Sequence, residues 1–157
     1  MIDKKVKAAD VSLIQDGILD LDSLYSDLKS WFDENQYIFF ETKHETKEAN
    51  KGKTIVYSWT SERKITDYIK FFINVDFLIR EIIKEKGKYS GKLNLRISSN
   101  LELDYKSRWQ STQTKNVMFK IYNNMIKKQE IESYKKKLIN ETNELVKIAK
   151  KDLDLET

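Results

Sequence analysis

The sequence predicts an α+β fold, with an N-terminal helix, a four-stranded antiparallel meander of long curled strands, and one or two C-terminal helices packed on one face of the sheet. Three stretches predict it: apolar residues recur at helical spacing over residues 21–34, alternate between residues 37 and 105, and return to helical spacing over about residues 107–151. The 157 residues contain no proline that would interrupt them. We therefore expect a single domain over residues 1–157.

The first nineteen residues are ambiguous. Val11, Leu13 and Ile14 are compatible with a short extra strand, and otherwise residues 1–19 are poorly ordered, as chain termini commonly are. The amphipathic helix over residues 21–34 follows directly. Its apolar side chains share one face at three- and four-residue spacing: Leu21, Leu24, Tyr25, Leu28, Trp31 and Phe32.

Four strands account for the alternating segment. They are predicted at about residues 37–48, 54–64, 68–84 and 92–105. Gly52 and the pair Gly87 and Gly91 mark hairpin turns, because glycine adopts positive φ at little cost. The strands are therefore expected to pair antiparallel in chain order.

The register is predicted by the pairing that places apolar residues on one face. This pairing sets Trp59 opposite Ile73 and also opposite His44, and it sets Asp76 opposite Glu102 on the outer face. Two like charges directly opposite one another are unfavourable. Asp104 lies on the same face. These carboxylates bind a hard cation, are solvated, pair with Arg80 and Arg96, or lie in a register shifted by two residues, and we expect solvated carboxylates and no metal site.

The composition excludes several classes of active site. The chain has no cysteine, one histidine and four glycines, which removes thiolate metal sites, paired-histidine metal motifs and the glycine-rich phosphate loops. We therefore expect no cofactor and no catalytic residue. No apolar run suits a signal peptide or a membrane span, so a cytoplasmic location is expected.

Charge is unevenly distributed, and the C-terminal part is a candidate nucleic-acid surface. Residues 1–50 carry a net charge of −5, residues 51–105 of +4 and residues 106–157 of +5. Basic side chains of this kind bind phosphates. Glutamates interleave with them, however, so a solvated helix face is the alternative. The candidate residues are Arg108, Lys127, Lys128, Lys135, Lys136 and Lys137.

An aromatic cluster is predicted on the outer face of the sheet, near one end. It consists of Tyr37, Phe39, Tyr68 and Phe72. Exposed aromatic side chains are either covered by the chain itself or form a contact surface for a second copy or another protein. This cluster and the missing catalytic motifs favour a non-enzymatic binding or assembly module, with self-association or a protein partner. A nucleic-acid or ribosome-associated protein is the alternative.

A third hypothesis places a cavity between the curled sheet and a helix. Such a cavity suits a small apolar ligand. Its expected lining includes His44, Tyr57 and Trp59, and a histidine packed on an aromatic ring is the simpler interpretation of the same residues.

Three segments resemble a group of small uncharacterised archaeal proteins. They are residues 67–77 (DYIKFFINVDF), residues 95–98 (LRIS) and residues 104–109 (DYKSRW), the last containing a Tyr-x-x-Arg-Trp corner. The resemblance covers most of residues 20–150. It implies a compact α+β cytoplasmic protein and assigns no catalytic residue.

Overall fold

A computed structural model describes residues 5–49, 52–103 and 128–154. All five strands form one antiparallel sheet in the order β1-β5-β4-β3-β2. The elements in chain order are β1 (Lys5–Leu19), α1 (Leu21–Glu34), β2 (Ile38–Ala49), β3 (Gly52–Lys64), β4 (Ile69–Glu85), β5 (Lys88–Leu103) and α2 (Lys128–Asp152).

The predicted fold class is wrong in its count of strands and in its first element. The chain begins with a 15-residue strand and not with a helix, and this strand is the fifth member of the sheet. β1 pairs with β5, from Lys5 opposite Glu102 to Leu19 opposite Tyr89. The alternating pattern of β1 is weak, because a bulge at Ala8 shifts the register within it.

Both helices cover one face of the sheet, which we call the inner face. α1 lies over β3 and β4, where the Tyr25 ring meets the Phe77 ring edge-to-face at 5.0 Å. α2 lies over β5 and β1, and the Thr142 hydroxyl lies 2.8 Å from the Ser99 hydroxyl in a buried hydrogen bond. The fold therefore has two layers, and the opposite, outer face carries no helix among the described residues.

The core consists of the inner-face side chains of the central strands and the apolar stripes of the two helices. Burying one large aliphatic or aromatic side chain stabilises the fold by about 1.5–3 kcal/mol. The largest fully buried side chains of this core are Phe32, Phe71, Phe77, Leu24, Leu28, Ile69, Ile73, Ile79, Leu93, Leu95 and Ile97.

The predicted register between β4 and β5 is also wrong. Asp76 lies opposite Arg96 and not opposite Glu102. The hairpin closes earlier than expected, because Lys86 and Gly87 both have positive φ (51° and 79°) and form the tight two-residue turn. The pairing of two carboxylates on the outer face is therefore absent.

The predicted partner of the single histidine is wrong. The β2–β3 hairpin closes with Ala49 opposite Gly52, so His44 lies opposite Tyr57 and not opposite Trp59. Trp59 lies opposite Glu41, beyond a bulge between Glu41 and Lys43, and on its other side it faces Val75 and not Ile73. A register shifted by two residues keeps every side chain on the same face, so alternation alone does not distinguish the two registers.

Candidate functional site

The outer side of β1 carries the most exposed large hydrophobic side chains of the described residues. Ile14 is 73% exposed and Ile18 is 69% exposed. Both alternate with Ser12 and Asp16 on the outer face, since the inward side chains of this part of β1 face β5 residues of the core. We call the outer-face side chains and the free backbone edge of residues 11–18 the β1 edge surface.

The second edge of the sheet, β2, has a different composition. Five of the eight residues from Glu41 to Glu48 are glutamate or lysine, whereas only Asp16 is charged among residues 11–18 of β1. Charged side chains on an edge strand oppose pairing with another chain. The two edges are therefore unequal: β2 is protected and the second half of β1 is not.

The first half of β1 is held by an ion pair. The Arg96 guanidinium donates to both carboxylate oxygens of Asp10, at 2.9 and 2.7 Å. This bidentate hydrogen bond holds the pKa of the Asp10 carboxyl below its usual range. It fixes β1 to β5 on the outer face, close to the bulge.

The predicted aromatic cluster is divided between the two faces. Tyr37 is 5% exposed and packs beside Trp31 and Phe32, and Phe39 lies on the inner face with its ring centroid 5.0 Å from that of Trp59. Their placement on the outer face is thus wrong, because the alternation of β2 is one residue out of phase with the prediction. Both side chains therefore pack within the chain itself and do not form a contact surface.

The remaining members of the cluster lie near the expected position. Tyr68 precedes β4 and packs partly against the core, and Phe72 lies on the outer face, where the Lys70 ammonium sits 5.4 Å from its ring centroid. Ile38 (56%) and Phe40 (49%) are also exposed on that face, and Glu62 lies between Ile38 and Phe72 in the strand register. The exposed apolar side chains of this face are therefore not the four that were predicted.

A buried polar network holds α2 against the start of β2, and the sequence did not indicate it. Arg63 lies 3.0 Å from each carboxylate oxygen of Glu141 and donates a third hydrogen bond, of 2.8 Å, to the Asn35 carbonyl. The Tyr37 hydroxyl donates to the same carboxylate at 3.1 Å, and its burial raises the pKa of Tyr37. The Arg63 guanidinium also lies 4.7 Å from the Tyr37 ring centroid. We call this group the Arg63 clamp.

Two of the predicted cavity residues, Tyr57 and Trp59, pack against the Tyr25 ring of α1, whereas the His44 side chain is 53% exposed. The His44 and Tyr57 ring centroids are 4.3 Å apart, and Trp59 is 3% exposed against the ring of Phe77. The Tyr25 hydroxyl and the Trp59 Nε1 are buried without a hydrogen-bond partner in the described part of the chain. The rings meet edge-to-face, which is the arrangement of a packed core.

The predicted nucleic-acid residues lie on α2 where they are described. Lys128, Lys136 and Lys137 are exposed and Lys135 is half-buried. Arg108 and Lys127 lie outside the described residues. Glu130 and Glu132 are exposed on the same helix, so the described face has mixed charge.

The contact between α1 and the end of α2 contains two carboxyl groups. Burial raises the pKa of Asp152 to about 6, and a hydrogen bond with Asp27 and its charge act in the same direction. Asp20 adds to the shift and Lys151 opposes it. A hydrogen bond between two carboxyl groups requires one proton, so this contact weakens when the proton is lost.

Replacing Asp152 with asparagine is expected to stabilise the protein at pH 8 by about 1–2 kcal/mol, because the amide needs no proton. The folded-state pKa lies above the ordinary 3.8, so the stabilisation from the protonated group is complete below about pH 4 and is lost as the pH rises through about 6. Urea unfolding at pH 3.5 and pH 8 measures it. The stabilisation by Asp152→Asn should disappear at pH 3.5. The control is Glu85→Gln at an exposed position, whose effect on the free energy of unfolding should be the same at both pH values.

No group of three or more histidine, aspartate or glutamate side chains suited to a metal ion occurs among the described residues. In the same part of the chain, neither helix has the length and apolarity needed to span a membrane. No protein-family model matches the chain, and no curated protein matches it significantly. The surface geometry of the described residues is therefore what indicates a function.

Proposed function

We propose that this chain is a non-enzymatic binding and assembly module, and that it adds an extended polypeptide segment to the β1 edge surface. The exposure of Ile14 and Ile18 beside a strand edge that pairs with no other strand of the described residues is the observation that carries this proposal. An unpaired strand edge offers a row of backbone N–H and C=O groups to an incoming strand. Exposed isoleucines beside that row add apolar contact to it.

The rigidity of the strand supports the proposal. β1 is paired with β5 along its length, and its inward Leu13 is 8% exposed within the core. The Arg96–Asp10 ion pair holds the strand on the outer face. A fixed strand loses little conformational freedom when a second strand adds to it, and this reduces the cost of binding.

The contrast with β2 supports the choice of edge. Lys43 and Glu45, which are both about half exposed, form an ion pair on β2 at 3.9 Å. An incoming strand at β2 would have to displace water from a row of charges, whereas at β1 it meets Ile14 and Ile18. We therefore expect an incoming strand to pair with β1 and not with β2.

A twelve-residue synthetic peptide of alternating isoleucine and threonine, with lysine at both ends, tests this function. Backbone pairing depends little on the sequence of the peptide, so we expect weak binding that shifts the amide NMR signals of residues 11–18. The double variant Ile14→Lys/Ile18→Lys should weaken the binding about tenfold or more.

The control is Ile38→Lys, which changes an isoleucine of comparable exposure on the other edge strand. It should leave binding of the peptide unchanged. Signal changes confined to β2 or to α2, or no binding at millimolar peptide, would contradict the proposed function.

Two further expectations from the sequence stay predictions. Salt-dependent nucleic-acid binding through Lys135, Lys136 and Lys137, and a small apolar ligand beside His44, Tyr57 and Trp59, are alternatives to this function. The cytoplasmic location and the relationship to small archaeal proteins also belong to the proposal.

A further inference from the structure

We infer that the strand received by β1 is β1 of a second copy of this chain, paired antiparallel about a two-fold axis at Ile14. The inference rests on the proposed function and names the partner. The position of the axis follows from which side chains of residues 10–18 can lie opposite one another in the two copies. The result is a continuous sheet of ten strands.

The two-fold axis limits the possible registers. An axis perpendicular to the sheet keeps the outer faces of both copies on the same side, so only residues of the same face can lie opposite one another. On β1 the outer-face residues after the bulge are the even-numbered ones. The axis must therefore pass through a residue and not between two residues.

Charge then selects among the remaining registers. An axis at Leu13 sets Asp10 opposite Asp16 twice, and an axis at Asp16 sets this carboxylate against its own copy. Like charges directly opposite are destabilising. An axis at Ser12 or Gln15 avoids this but sets Ile14 opposite a carboxylate.

An axis at Ile14 avoids opposed carboxylates, and it leaves a carboxylate opposite Ile18 and not opposite Ile14, which is the more exposed isoleucine. It sets Ile14, at 73% exposure, opposite Ile14 of the second copy, and it sets Ser12 opposite Asp16. The serine hydroxyl can donate to the carboxylate across the strands. Ile18 then lies opposite Asp10, whose carboxylate is already held by Arg96.

The charges of β2 explain why such an assembly would close at two copies. In the ten-stranded sheet both free edges are β2 strands, with the glutamate and lysine residues between Glu41 and Glu48. Charged edges resist further pairing. An isologous pair is closed by its own symmetry, and it uses the edge that carries few charges in the part of each copy that the structure describes.

Single cysteines measure the register, because the chain contains no cysteine. In this register the Cβ atoms at position 14 are about 4.5–5.5 Å apart, close to the separation in a disulfide. Ile14→Cys should therefore form a covalent dimer under mild oxidation. Ile18→Cys is the matched control, since it is equally exposed and its two copies lie about 27 Å apart in this register.

The expected result is cross-linking of Ile14→Cys about tenfold faster than that of Ile18→Cys. A mixture of Ser12→Cys and Asp16→Cys chains should cross-link faster than either chain alone. Sedimentation of the unsubstituted chain should show an average mass that rises with concentration from 18.7 kDa toward twice that value.

The outcomes separate the two proposals. A mass of 18.7 kDa at all concentrations up to about 500 μM overturns the self-pairing, while peptide binding at residues 11–18 would still support the proposed function. Dimerisation with equal cross-linking at positions 14 and 18, or with faster cross-linking at position 18, overturns the register at Ile14. Both proposals are supported if Ile14→Cys cross-links fast and the unsubstituted chain sediments with an average mass that rises toward that of a dimer.

Discussion

Replacing Arg63 with alanine is expected to lower the free energy of unfolding by about 3–5 kcal/mol, because it leaves the carboxylate of Glu141 buried and unpaired. The side chains of Arg63 and Glu141 are 17% and 11% exposed, so water cannot fully replace the lost partner. The loss also removes the hydrogen bond to the Asn35 carbonyl and the contact with the Tyr37 ring. Urea unfolding monitored by circular dichroism measures the change.

The matched control for this prediction is Arg96→Ala. Arg96 also forms a bidentate ion pair, at shorter distances, but its side chain is 54% exposed. An exposed pair contributes little to stability, so we expect Arg96→Ala to cost much less than Arg63→Ala. Equal losses for the two variants would show that burial of the Arg63 clamp has no energetic consequence.

A double variant separates the buried charge from the lost packing. Arg63→Ala combined with Glu141→Gln leaves no buried charge, and the glutamine carbonyl still accepts from the Tyr37 hydroxyl. We expect this double variant to be more stable than Arg63→Ala alone by about 1–3 kcal/mol. A double variant less stable than Arg63→Ala would show that the loss is due to packing.

The local elements were predictable because their signals lie within a few residues. The helix over residues 21–34 coincides with α1, where the Asp20 side chain accepts a hydrogen bond from the Ser23 backbone N–H at 3.2 Å. The alternation over Ile69–Glu85 is uninterrupted through Ile79, which gives β4 a clear period of two. Such patterns report which face is buried and not which strand lies beside it.

β1 was missed as a full strand because its evidence is non-local. Its partner β5 lies far along the chain, the bulge at Ala8 breaks its alternation, and Gly17 contributes no side chain to the pattern. Ile14 was therefore read as one apolar residue of an ambiguous segment. Its exposure depends on the position of β1 at the edge of the sheet, which no pattern within residues 5–19 encodes.

The Arg63 clamp was unpredictable for a related reason. Arg63 and Glu141 are 78 residues apart, and the chain has 25 acidic residues from which a partner could come. The wrong partner of His44 has a smaller cause: a hairpin register shifted by two residues keeps the same side chains on each face, so alternation does not reveal the shift. The candidate site of this protein thus depends on tertiary position, while its elements depend on local pattern.

Phe77→Ala is expected to lower the free energy of unfolding by about 3–5 kcal/mol, through lost burial and the cavity that remains. Phe77 is fully buried, and its ring centroid lies 4.6 Å from that of Trp59 and 5.0 Å from that of Tyr25. These edge-to-face contacts add stabilisation beyond the buried area. Thermal and urea unfolding measure the loss.

The same substitution at Phe40 is the control, because Phe40 is 49% exposed on the outer face. We expect Phe40→Ala to cost less than about 1 kcal/mol. Phe77→Leu should cost less than Phe77→Ala, since leucine fills more of the cavity. If Phe77→Ala is tolerated as well as Phe40→Ala, the aromatic cluster is not close-packed, and the hypothesis of an apolar ligand beside Tyr57 and Trp59 gains support over assembly through β1.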